Sequence, residues 1–139
     1  MPRGIFHAVV LTDDLDASVR FLSEVCGIAP VERYAPQPDQ LAETFGWPAD
    51  AGSTEAAIIG QGPGMLEVIA IPASLRSTVS PGVSLLAVAT GDVEERAEAA
   101  RAAGFQPAPT RTADGAGGAK ITMAPVTVGG VGYELVRFG

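Results

Sequence analysis

The chain states one pattern twice. An apolar run from Ile5 to Leu11 meets Thr12, Asp13 and Asp14 and passes into an amphipathic segment that stops at Gly27. A second run from Val83 to Ala89 meets Thr90, Gly91 and Asp92 and passes into another segment that stops at Gly104. Each copy later reaches a stretch with one acid among apolar neighbours, Leu66-Glu67-Val68-Ile69 and Tyr133-Glu134-Leu135-Val136. A strand–helix unit of this size cannot bury its apolar face alone, so the copies must share a core. Polar side chains embedded in their strands predict a site where the copies meet. With 139 residues, 47% of them hydrophobic, the chain supports one domain, 1–139. Its first module covers about 4–72, a linker 73–81 and a second module about 82–139.

Spacing places the local elements. Asp13 or Asp14 can cap a first helix, and Leu15, Val19, Leu22 and Cys26 recur every three or four residues along one face before Gly27 ends it. The second helix starts at Asp92 with Glu95 as capping-box partner, buries Val93, Ala97 and Ala100, and ends at Gly104. Strands are predicted over 29–34, 55–60 and 65–71 in the first half, and over 106–111, 120–124 and 132–138 in the second. Both halves therefore read β-α-β-β-β, an α+β fold.

Composition narrows the function. No apolar run approaches the roughly 20 residues that cross a bilayer, and Met1-Pro2-Arg3-Gly4 leads straight into a strand, which predicts a cytoplasmic protein. A formal net charge of −7 argues against a phosphate-backbone partner, which requires clustered Lys and Arg. The acidic surface suits solubility and tolerates a cationic ligand. Cys26 is the only cysteine, so no internal disulfide or multi-cysteine zinc site can form, and its place on the apolar stripe predicts a packed core thiol.

Two stretches break the symmetry. The first copy is longer because of an insertion, 36–53, that carries Phe45, Gly46, Trp47 and Pro48, with a short helical turn over 40–43. It is the lid candidate, and Phe45 and Trp47 either stack on a ligand or pin the loop to the sheet. Residues 113–119 are glycine-rich, but they lie between strands with no helix to follow, so they predict a mobile hairpin loop rather than a phosphate cradle.

The paired β-α-β-β-β units, His7 in the first strand, the Asp-Leu-Asp-Ala helix start and the Tyr-Glu-Leu-Val last strand together resemble the vicinal oxygen chelate superfamily. That superfamily includes the glyoxalase, bleomycin-resistance and extradiol-dioxygenase-like proteins, and the resemblance runs from Ile5 to Phe138. It implies that the two modules curl into a cupped mixed sheet and that metal ligands come from the first and last strands of each copy. Those positions here are His7, Glu67, Leu85 and Glu134. Many members have histidine at the third, where Leu85 ligates nothing and becomes an apolar contact for a ligand. The remaining N,O,O set of His7, Glu67 and Glu134 suits a Lewis-acid divalent ion such as Zn²⁺, Mn²⁺, Co²⁺ or Ni²⁺. With a single histidine in the chain, the two-histidine facial set of iron oxygenases cannot be built.

Strand alternation supports part of this. His7 shares a face with Ile5, Val9 and Leu11, Glu67 with Met65, Ile69 and Ile71, and Glu134 with Val136 and Phe138. A carboxylate on such a face needs a cation, a hydrogen-bond donor or its own proton. For any one residue an arginine partner such as Arg33, Arg111 or Arg137 suffices; three at corresponding positions favour a pocket. Three functions follow. The first is a metal-assisted isomerase, epimerase or lyase of a small oxygenated carbonyl metabolite, with Glu67 or Glu134 moving the proton. The second is a non-catalytic protein that sequesters a small molecule, and the third is metal-free acid/base catalysis by the two carboxylates. Exposed strand edges and helix faces predict a homodimer with two equivalent clefts.

Overall fold

The computed structural model describes residues 4–114 and 118–139. Of the glycine-rich segment, 115–117 lie outside the described residues. The elements run in the order β1 (Gly4–Thr12), α1 (Leu15–Arg20), a π-helical turn (Phe21–Val25), β2 (Pro30–Tyr34), α2 (Pro38–Phe45), β3 (Ala56–Ile59) and β4 (Met65–Ala70). A 3-10 turn (Ala73–Leu75), β5 (Gly82–Ala89), α3 (Val93–Ala102), β6 (Arg111–Asp114), β7 (Lys120–Val128) and β8 (Val131–Phe138) complete the chain. This is the β-α-β-β-β pattern twice over, in an α+β fold, with α2 added to the first copy. Contacts divide the chain into two compact units, Val9–Val83 and Met1–Ala8 with Ser84–Gly139.

In the Val9–Val83 unit the strand order is β2-β3-β4-β1, with β3 antiparallel to both β2 and β4. Asp14 is extended and its carboxylate accepts from Ala17 N–H at 2.9 Å, which caps α1 and turns the chain out of β1. Leu15 and Val19 then pack on Ala57, Ile59 and Val68, with Val10, Leu22, Leu66 and Ala70 around them. The helix does not hold its period to Cys26. From Phe21 the bonding widens to five residues, Cys26 N–H to Phe21 C=O at 3.1 Å, before Gly27 turns the chain at φ 73°. The extra residue in that turn rotates Cys26 off the apolar stripe, so the thiol is exposed rather than packed in the core. Phe21, Val25, Ile28 and Val31 are exposed in the same stretch.

In the other unit the order is β1-β5-β8-β7-β6, with β5 parallel to β8 and β7 antiparallel to β8 and β6. Asp92 caps α3 by accepting from Glu95 N–H at 2.9 Å. Val93 and Ala97 pack on Ala124, with Leu135 against them; the alanines let the helix lie close to its strands. The strand expected over 106–111 begins only at Arg111, because Pro107 and Pro109 have no N–H to give a ladder. Its partner β7 runs on to Val128, past the expected end at 124. Among the described residues no helix is long and apolar enough to cross a membrane.

Candidate functional site

Alternation along each strand sorts its side chains between the face that carries the helix and the face that does not. In β8, Leu135 packs toward α3, so Glu134, Val136 and Phe138 lie on the helix-free face. Register then assigns their neighbours. Glu134 stands opposite Ala87 on one side and Pro125 on the other; Val136 stands opposite Met123, which in turn faces Arg111 of β6. Among the described residues, Glu134 and His7 are the two buried polar or charged ones, at 8% and 5% exposure. The His7 imidazole is bracketed by aromatic rings, Phe6 edge-on at 5.9 Å between centroids and Phe138 tilted at 6.1 Å.

Leu85 belongs to this unit and is buried at 3%. Opposite it, Gly132 lacks a side chain, and a Cβ there would stand 3.5 Å from Leu85 Cδ1 and 3.0 Å from Ser84 C=O. The leucine thus fills space that the glycine leaves open. Of the four positions that the resemblance implies, His7 and Glu134 are the donors in this unit, and Leu85 supplies none. Among the described residues, no group of three or more His, Cys, Asp or Glu side chains is arranged to hold an ion. An open catalytic site for a divalent ion uses three protein ligands. His7 and Glu134 supply two of these, and Glu67 is the third candidate that the resemblance implies.

Glu67 lies in the other unit, on β4. Leu66, Val68 and Ala70 join the α1 core, which leaves Met65, Glu67 and Ile69 on the helix-free face. Ile58 of β3 faces Glu67 and Glu32 of β2 faces Ile58, while two residues along Tyr34, Ala56 and Ile69 form the next row on that face. The Tyr34 phenol reaches across this lattice and donates to Glu67 Oε1. Sequence reasoning missed Tyr34. It alternates with Glu32, but a contact two strands away depends on register, which one strand's pattern does not reveal. Arg33, offered above as a carboxylate partner, points to the opposite face. It bonds Asp16 at 2.7 Å and Glu55 at 2.9 Å, and these acids, Asp16 foremost, hold its guanidinium pKa above the ordinary value.

The insertion holds more helix than the expected turn. α2 spans Pro38–Phe45, begins with proline at its first turn and ends at Gly46, whose left-handed φ of 71° lets Gly46 N–H bond Ala42 C=O at 2.9 Å. That reversal lays Trp47 back on Phe45, ring on ring at 5.0 Å and 27°. Trp47 is buried and Phe45 half-buried. A separate cavity of about 380 Å³ opens on the helix side of this unit, lined by Asp13, Asp14, Asp16, Arg33, Glu55 and Arg76 among others. It contains none of the expected site residues.

The fold has known counterparts. The profile of the Glyoxalase/Bleomycin resistance protein/Dioxygenase superfamily matches residues 4–131, and the chain belongs to that superfamily. Solved structures share the fold at low identity. A hypothetical protein from Bacillus halodurans is similar with a TM-score of 0.72 and 16% identity, over 98% of this chain and 94% of that one. Methylmalonyl-CoA epimerase from Mycobacterium tuberculosis is similar with a TM-score of 0.68 and 19% identity, over 96% and 86%. A methylmalonyl-CoA epimerase in complex with methylmalonyl-CoA and NH4+ is similar with a TM-score of 0.68 and 21% identity, over 98% and 94%. No curated relative matches the sequence.

Proposed function

We propose that this chain is an isomerase or epimerase that moves a proton on the carbon beside the carbonyl of a small oxygenated metabolite, with Glu67 as the proton-moving carboxylate. The observation that carries this reading is the Tyr34 hydroxyl bound to Glu67 Oε1 on the helix-free face of β2-β3-β4. Glu67 is half-buried, so it is in reach of a ligand, yet its carboxylate is held by a designated donor. In the step itself, the carbon–hydrogen bond breaks, the proton passes to the carboxylate, and the electron pair moves into an enolate. A proton returned to the same carbon completes exchange, and to the opposite face completes epimerisation. The more deeply buried Glu134, in the other unit, is the second carboxylate of the proposal, and its part is to be measured against that of Glu67.

Similarity to methylmalonyl-CoA epimerases supports a thioester of a branched acid as the first probe. Incubating the protein with methylmalonyl-CoA in D₂O and following loss of the C2 proton by NMR tests the reaction class. Exchange above the buffer rate supports it, and its absence, both with that thioester and with the hemithioacetal of methylglyoxal and a thiol, rejects it.

A second reading, small-molecule sequestration without turnover, is favoured by Leu85 at a position where the superfamily's metal ligand is expected. Saturable binding of either probe without proton exchange establishes it. Under both readings we propose a homodimer. Phe21 and Val25, 57% and 72% exposed on the π-helical turn, are the apolar surface a second copy would cover. A monomer mass at all concentrations in light scattering refutes the dimer.

A further inference from the structure

We infer that Tyr34 is a positioning residue for Glu67, fixing the carboxylate in the orientation from which it exchanges a proton with the substrate. The inference rests on the proton-moving role proposed for Glu67. Tyr34 ends β2, the outermost strand of its unit's order, where a tyrosine has the option of turning its hydroxyl to water. It does not take that option. The residue facing it on β3 is Ala56, fully buried and with nothing beyond Cβ, so the phenol ring can lie across β3 toward β4. A larger side chain at Ala56 would close that path.

The chemistry fits a rigid and renewable partner. A glutamate has three side-chain torsions, and a carboxylate that must meet a carbon–hydrogen bond loses rate for every orientation it samples unproductively. One hydrogen bond from a phenol carried by β2, two strands away, removes much of that freedom. The phenol is neutral, so it orients the carboxylate without neutralising its charge. It also keeps donating to whichever ligand-bound state leaves the carboxylate ionised.

The test compares Tyr34→Phe, which keeps the ring and removes the donor, with Glu67→Gln and the double variant. With methylmalonyl-CoA as probe, Tyr34→Phe lowers kcat for exchange by about tenfold or more and leaves KM within about twofold, since orientation matters in the transition state. In the Glu67→Gln background it lowers the residual rate no further, because the two residues act as one unit. Independently of any substrate, the ¹³C resonance of the Glu67 side-chain carboxyl, identified by its loss in Glu67→Gln, shifts in Tyr34→Phe. An unmoved resonance in folded Tyr34→Phe overturns the inference, as do additive losses in the double variant or a loss confined to KM. A shifted resonance in a protein that exchanges no proton on either probe refutes the proton-moving role, and the inference with it, while the Tyr34–Glu67 contact stands. The two failures are therefore distinguishable.

Discussion

The rings of His7 and Phe138 lie 6.1 Å apart at an angle of 59°, although the two residues come from opposite ends of the chain. Phe6 stacks obliquely on the same Phe138 at 4.5 Å, so one aromatic residue near the C-terminus covers two successive residues of β1. Removing it opens the imidazole to solvent. Phe138→Ala should lower stability by about 1–3 kcal/mol, below the cost for a fully buried ring because Phe138 is half-exposed. It should also raise the rate at which diethyl pyrocarbonate modifies His7. Unchanged modification would mean that Phe138 does not shield the imidazole.

The two helix caps give a paired prediction. Asp14 and Asp92 make the same bond to the N–H three residues on, each at 2.9 Å. Asp14→Ala and Asp92→Ala should each cost about 1 kcal/mol in denaturant unfolding. The substitution by asparagine, which still accepts a hydrogen bond, should recover most of that loss. If asparagine is as damaging as alanine, charge at the helix end rather than the hydrogen bond is what these residues supply.

Trp47 separates anchoring from ligand stacking. At 8% exposure and stacked on Phe45, the indole has little surface left to offer a ligand. Trp47→Ala should therefore lower stability by about 3–5 kcal/mol. As the chain's only tryptophan, Trp47 should emit at the short wavelengths of a buried indole in the folded protein. A variant of unchanged stability that binds methylmalonyl-CoA more weakly would restore the stacking role.

Much of the fold was legible because its signals are local. Asp14, Gly27, Asp92 and Gly104 mark the ends of the two helical segments through caps and left-handed turns, and those depend on a few adjacent residues. The superfamily assignment followed from the same repeat. What failed was non-local, depended on a single inserted residue, or gave too little weight to proline. Cys26 satisfies the helical period on paper, but the five-residue bonding from Phe21 breaks that period, and no residue type between 21 and 26 announces it. The strand placed over 106–111 ignored how strongly Pro107 and Pro109 limit ladder bonding. His7, Leu85, Glu67 and Glu134 could be assigned to strand faces by alternation, whereas the bond between Tyr34 and Glu67 requires the β2-β3-β4 register.

The central claim is that the Glu67 carboxylate moves the proton. The most direct measurement is the rate of C2 proton exchange of methylmalonyl-CoA in D₂O by the wild-type protein, compared with Glu67→Gln and Glu134→Gln. Wild type should exchange the proton well above the buffer rate, and Glu67→Gln should lose a factor of about 10²–10⁴, the usual contribution of a general base, with a smaller loss in Glu134→Gln. Full activity in Glu67→Gln would contradict the account.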